Sequence, residues 1–287
     1  MSGRHDGRAT LYVVATPIGN LDDITLRALK VLKAVELVAA EDTRRTGNLL
    51  RHYGIETPVL SVHAHNERAR IDRIIGHLDR GGSVALVTDA GTPAVSDPGA
   101  ALVAAIRDAG FRIEPLPGAS AIAAAFSASG VQSDGFTFLA FPQIRSKNRK
   151  IWLSQLQAAV LDRAVIFFEA PHRLLRTLEE LSIYVNRPIM AARELTKIHE
   201  ELVWGTPSEL IDRFQSPQGE FTIVIPPSNQ AQKSVDPPTD AEIVALFGQI
   251  TDSVATKSKK DAARLVGEQL GLAAREVYAA LERHKLG

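Results

Sequence analysis

Apolar and polar positions alternate along this chain in a way that separates short buried strands from longer amphipathic helices. After about ten polar residues, LYVVAT (11–16) is a continuous apolar run that predicts a buried strand, and a helix is expected over 23–33 with Asp22 as its cap. The alternation continues with strand 36–40, helix 44–53, strand 58–62, helix 67–80, strand 83–88, helix 98–109, strand 112–116 and helix 119–128. Strands separated by helices at this spacing predict an α/β fold with a parallel, Rossmann-like sheet covered by helices. In this reading Ser96 caps the helix that follows 83–88, and Pro98 sits in its first turn.

From about residue 131 the pattern changes. Strand 136–141, helix 148–160, strand 164–170 and helix 172–184 are followed by apolar runs at 189–195 and 201–206, a helix near 207–214 and a last strand at 220–225. The runs at 189–206 lie too close for a crossover helix, so they pair antiparallel, and the second sheet is mixed. The expected organisation is an N-terminal α/β domain (10–130), a C-terminal α/β domain (131–227), a Pro-rich polar linker (228–239) and a small helical extension (240–287). Its helices fall near 240–250, 258–270 and 273–285, and Gly271 ends the middle one.

Composition narrows the chemistry. With 287 residues, 45% hydrophobic and 23% charged, the chain can build more than one core. It has no cysteine, which excludes disulfides, thiolate nucleophiles and cysteine-based zinc sites. His63, His65 and Glu67 are close in sequence but lack a further ligand set, so no metal is expected. The net charge is zero, so any polyanion must be met by a local patch. No apolar run is long enough to span a membrane, and MSGRHDGRAT has no apolar signal core; a cytoplasmic protein without a membrane partner is expected.

Four loops fall at carboxyl ends of predicted first-half strands: TPIGNLDD (16–23), AEDTRRT (40–46), TDAGTPAVSDPG (88–99) and LPGASA (116–121). This is where open α/β sheets bind ligands. Gly91 allows close approach to the backbone, Pro93 stiffens the turn, and the helix after LPGASA can offer free N–H groups to an anion. None matches GxGxxG or GxxxxGK[ST], which argues against nicotinamide and nucleoside-triphosphate chemistry. Taken singly, each could be an ordinary connection.

As a set, these loops resemble those of the tetrapyrrole methylase superfamily, whose members bind S-adenosylmethionine between two α/β domains. AEDTRRT and ARELTKIHEELVWGT (192–206) resemble the branch that methylates a cytidine 2′-hydroxyl of 16S rRNA in the small ribosomal subunit. The resemblance covers about residues 10–225, and the C-terminal helices are similar to an extension found in part of the family. It implies a homodimer. It also implies donor contacts from Pro17, Asp89, Gly91, Val95, Ser120 and Ala121, completed by Phe168, Arg193, Glu194 and Gly219. The chain departs from the family where Gly-Phe-Leu-Pro is usual, having Ala140-Phe141-Pro142-Gln143.

For the RNA, QIRSKNRK (143–150) concentrates Arg145, Lys147, Arg149 and Lys150 with no acid between them, and Arg44 and Arg45 form a second basic group, extended by Arg51 and His52. EAPHRLLR (169–176) adds His172 and Arg173 at a third strand end. Transfer to a 2′-hydroxyl needs alignment and loss of a weakly acidic proton. Glu194, Lys197 and His199 are the expected shapers of the acceptor site; Glu200, His172 and Asp89 are further candidates for the base. Two other readings share these motifs: a tetrapyrrole-type small-molecule methyltransferase, and a non-catalytic RNA-binding or assembly protein.

Overall fold

The structure, a computed structural model, describes residues 9–63, 66–228, 239–252, 259–270 and 272–285. His65, Gly271 and nearly all of the expected linker therefore lie outside the described residues. Residues up to Pro227 form one compact unit and residues from Ser228 a second.

The first unit carries two five-stranded sheets. In the first, β1 (Thr10–Val14), β2 (Leu37–Ala40), β3 (Val59–Ser61), β4 (Val84–Val87) and β5 (Arg112–Leu116) are all parallel, in the order β3-β2-β4-β1-β5. The two-residue period of a strand sends alternate side chains to opposite faces. Tyr12, Val14, Val38, Ala40, Ala85 and Val87 meet α1 (Leu26–Ala34) and α2 (Thr43–His52). Leu11, Ala39, Val84 and Leu86 meet α3 (Glu67–Asp79) and α4 (Ala100–Asp108) on the other face. The chains leaving neighbouring strands β1 and β4 thus run to opposite faces, and a crevice opens at their carboxyl ends.

The second sheet has the order β6-β7-β10-β8-β9, built from β6 (Phe136–Phe138), β7 (Ala164–Glu169), β8 (Ile189–Arg193), β9 (Glu201–Gly205) and β10 (Phe221–Ile225). β6 and β7 are parallel, and the other pairs are antiparallel, including the expected pair β8–β9. One face packs on α6 (Ser146–Ala159), α7 (Pro171–Ser182) and α8 (Pro207–Arg213) through Val165, Phe167, Ala191 and Ile223. The other face receives α5 (Ala121–Ser129), which follows directly from the first sheet: Ile122 and Ala125 pack on Ile166, Met190, Ala192 and Val224. This helix joins the two sheets into one body.

Several boundaries shift for local physical reasons. α1 is capped by Thr25, whose hydroxyl accepts the Ala28 N–H, because Asp22 is held in a short 3-10 turn capped by Asn20. α4 starts after Gly99 (φ 124°), not at Ser96; Ser96 is itself left-handed (φ 64°) in a turn closed by Ala94 N–H donating to the Pro98 carbonyl. β6 stops at Phe138, and Ala140 takes φ 50° while its carbonyl accepts the Phe168 N–H. A left-handed alanine costs about 1 kcal/mol that glycine avoids. Ala140→Gly is therefore expected to raise the melting temperature by about 1–4 °C, read by calorimetry, after allowing for the greater entropy of unfolded glycine.

The second unit is a small bundle of α9 (Asp240–Asp252), α10 (Lys259–Leu270) and α11 (Ala274–Lys285) around Ile243, Ala263, Val266, Val277 and Ala280. Thr239 and Glu242 cap α9 reciprocally, and Arg283 pairs with Asp240 at 2.7 Å.

Candidate functional site at the edge of the first sheet

The crevice between β1 and β4 is a cleft of about 410 Å³, within the usual range for small-ligand sites. Its floor comes from the strand ends, with Thr16 and Pro17 after β1 and Thr88, Asp89 and Ala90 after β4. One wall is the side of α2 that presents Arg45, Asn48 and His52; Lys197 and Glu220, from the edge of the second sheet, complete it.

Glycines fix this shape. Gly91 (φ 80°) exchanges two backbone hydrogen bonds with Thr16, at 2.9 and 3.0 Å, so its polar groups brace the two loops. Gly19 lies so near the second sheet that a β-carbon there would be 2.5 Å from Lys197 Cγ and 2.7 Å from Thr196 Oγ1. Gly219 (φ 84°) is packed in the same way against the Glu194 side chain.

Asp89 is held from two directions, by the Asp42 N–H at 3.0 Å and by the Arg45 guanidinium at 3.4 Å. Asp42, which the motifs did not single out, caps α2 by accepting the Arg44 and Arg45 N–H groups. Its hydrogen bond with the Arg44 guanidinium, then with the Arg44 N–H, holds its carboxyl far below the usual range. Beneath the floor, the Thr88 hydroxyl donates to Glu41 at 2.9 Å. Nearby Asp97 is pushed up to about 6, by burial first and then by the charges of Glu41 and Asp89, with the Thr88 contact opposing.

The sign of that shift sets a test. A carboxyl whose folded pKa exceeds its unfolded value makes the fold lose stability as pH rises from about 4 to about 6. Asp97→Asn should match the parent's melting temperature below pH 4, exceed it above pH 6, and show a difference that grows between those limits. Parallel melting curves across that range would refute the assignment.

Lys197 is the best-anchored cation of the cleft. Its ammonium lies 2.9 Å from Glu194 and 3.0 Å from Glu220. Burial disfavours its charge, but the bonds to these two carboxylates outweigh that and raise its pKa. For Glu194, burial acts upward, yet the Lys197 contact and the Glu220 N–H outweigh it and lower its pKa. Neither group is therefore poised to take up a proton: Lys197 stays charged, and the Glu194 carboxylate is already engaged.

Of the other expected site residues, Pro17 and Asp89 line the cleft, and Glu194 and Gly219 stand directly behind Lys197 and Glu220. Arg193 ties the sheet edge together, donating to Gln218 O at 2.6 Å and pairing with Glu201 at 2.7 Å. Ser120 caps α5 and Ala121 starts it, next to Ala119, whose carbonyl accepts from Thr92. Val95 is exposed on its loop, and Phe168 packs against Phe138 and Phe141. These four do not line the cleft. His199, expected at the acceptor site, is exposed and also absent from the lining, because the chain turns outward after Lys197.

The basic residues of segment 143–150 divide by burial. Arg145, Lys147 and Lys150 are exposed, but Arg149 is only 4% exposed. It pairs with Glu180 at 2.6 Å and donates to Thr177 Oγ1 at 2.7 Å. Helical phase turns it inward, and α7 supplies the acid that the local sequence lacks. Arg173 is likewise engaged, with buried Glu169 at 2.9 Å, while His172 and Arg44 are exposed. Among the described residues no group of three or more potential metal ligands occurs, and no helix is long and apolar enough to cross a membrane.

Sequence comparison matches residues 10–211 to the family described as Tetrapyrrole (Corrin/Porphyrin) Methylases. Proteins named ribosomal RNA small subunit methyltransferase I are similar over most of their length. The Synechocystis protein is 44% identical over 75% of this chain and 78% of its own. The protein of Neisseria meningitidis serogroup B is 42% identical over 90% and 89%, and that of Haemophilus influenzae 40% identical over 93% and 94%. Among solved structures, a uroporphyrin-III-C-methyltransferase from Thermus thermophilus superimposes with a TM-score of 0.54 at 23% identity, covering 76% of this chain and 94% of the other. A diphthine synthase gives 0.59 at 16% identity, covering 76% and 90%.

Proposed function

We infer, because this chain belongs to the tetrapyrrole (corrin/porphyrin) methylase family, that it is an S-adenosylmethionine-dependent methyltransferase of small-subunit ribosomal RNA. The product is a 2′-O-methylated cytidine in 16S rRNA. The observation that carries this reading is the likeness, over nine tenths of both chains, to relatives named for that RNA. The two sheets are read as two domains meeting near residue 130, with the cleft at their junction. A second copy of the chain and a cytoplasmic location follow from the family likeness alone.

The residues of the cleft suit a cationic donor. Asp89 and Glu220 line it, and Glu41, Asp97 and Glu194 lie behind them, so the surroundings are acidic. When bound, S-adenosylmethionine supplies an electrophilic methyl group. Pro17 and Asp89 would hold it against the strand ends, with Gly91, Val95, Ser120, Ala121, Phe168, Arg193 and Gly219 shaping the surrounding loops. The acceptor would be the RNA ribose, whose 2′-oxygen would take the methyl group from the donor sulfur and give up its proton to solvent water.

Lys197 faces this region as a fixed positive charge that can hold an acceptor phosphate or stabilise developing negative charge on the 2′-oxygen. Glu194 and Glu220 orient it. Arg45 on α2, exposed and lining the cleft, would meet an RNA phosphate, and Arg44, Arg145, Lys147, Lys150 and His172 extend the contact. With Glu194 already engaged, alignment of donor and hydroxyl carries the larger share of the acceleration. Transfer of labelled methyl from S-adenosylmethionine to 16S rRNA, free or within the small subunit, followed by nucleotide mapping, tests the assignment. A methylated base instead of a ribose would overturn the chemistry, and a methylated tetrapyrrole would overturn the substrate.

A further inference from the structure

We infer that Thr196, together with Tyr53, is a positioning residue that clasps the loop Thr16–Leu21 and thereby sets Lys197 beside the donor-binding strand ends. The kinetic part rests on the methyl-transfer reading above; the structural part does not.

The loop after β1 is held at three points, each by a different part of the chain. Its start is bonded to Gly91 through Thr16. Its far end is bonded by α2's terminal Tyr53, whose hydroxyl donates to the Leu21 carbonyl at 2.6 Å. Between them, the Asn20 N–H donates to Thr196 Oγ1 at 2.9 Å, a contact between residues 176 positions apart.

Thr196 is itself fixed in a costly conformation. It is left-handed (φ 67°), two residues after left-handed Glu194 (φ 51°). Glu200 accepts its N–H at 2.5 Å, and the Lys197 N–H donates to the Glu194 carbonyl. Two strained non-glycine residues around Leu195 turn the chain so that the next side chain, Lys197, enters the cleft over Gly19. The Thr196 hydroxyl hydrogen-bonds this turn to the donor loop, beside the packing of the Lys197 stem on Gly19. Losing it leaves Lys197 its carboxylate partners but frees the loop against which its stem rests.

The test compares Thr196→Ala, which removes the acceptor, with Thr196→Ser, which keeps it. The amide exchange of Asn20 should speed about tenfold in the alanine variant and less than about twofold in the serine variant, as expected for one lost hydrogen bond. Methyl transfer to 16S rRNA should show kcat down about tenfold in Thr196→Ala, with KM for donor and RNA within about twofold, and recovery in Thr196→Ser. Tyr53→Phe should also loosen the loop, and its effect combined with Thr196→Ala should be less than the product of the two, since both hold one segment. Unchanged Asn20 exchange, a serine variant as impaired as alanine, or a change confined to KM would each overturn the clasp. If the parent protein shows no transfer to RNA while the exchange pattern holds, the substrate reading fails and the clasp stands.

Discussion

Lys197→Met is expected to lower methyl transfer by about 100- to 1,000-fold, the scale seen when one preorganised polar stabiliser is removed from a reacting centre. Methionine keeps an unbranched stem that can lie over Gly19, so the change isolates the charge. Glu194 and Glu220 would then face each other without the ammonium that now lies 2.9 and 3.0 Å from them. Because these carboxylates hold Lys197 charged, no loss of activity from its deprotonation is expected near neutral pH; pH profiles of parent and variant should run parallel there. Donor affinity, measured by calorimetry with S-adenosylhomocysteine, should stay within about threefold, since the strand ends supply the donor contacts. A variant retaining a third or more of parental kcat/KM would remove Lys197 from the mechanism.

Arg149→Ala is expected to destabilise the first unit by about 3 kcal/mol, the lower end for breaking a buried ion pair, because Glu180 keeps Arg176 and some access to water. For a unit of this size that is roughly 6–12 °C in melting temperature. The loss comes from the Arg149 contacts with Thr177 and Glu180, at 2.7 and 2.6 Å, which alanine cannot make. Arg145→Ala, Lys147→Ala and Lys150→Ala should each leave the melting temperature within about 1 °C. Each should instead weaken RNA binding and flatten its dependence on salt. If Arg149→Ala behaved like its three neighbours, the buried network would be refuted as a source of stability.

The two results would separate kinds of basic residue that look alike in QIRSKNRK. Position along α6 decides between them: Lys147 and Lys150 stay in water, while Arg149 reaches α7 beneath the helix. Arg173, one helix further on, is engaged inside the protein as Arg149 is. It pairs with Glu169 and donates to the Pro142 carbonyl at 3.4 Å, and so supports the loop that holds left-handed Ala140.

What the sequence determined by itself is whatever local physics controls. Strand and helix order, the parallel first sheet, the antiparallel β8–β9 pair and the four loops at strand ends follow from periodicity, spacing and turn residues. Each depends on neighbours a few positions apart. The family likeness then gave those loops a donor and an acceptor. Only the tertiary structure decided which side chains share a site. Lys197 enters the cleft and His199 does not, although only Ile198 separates them, because left-handed Glu194 and Thr196 turn the chain against Gly19. Gly91 also braces two loops, because Thr16, far away in sequence, bonds both of its backbone polar groups. Asp97 is raised first by burial and then by Glu41 and Asp89 on neighbouring strand ends, an environment created by sheet order. Burial and charge pairing are set by contacts across the fold, and a pattern read along the chain contains no term for them.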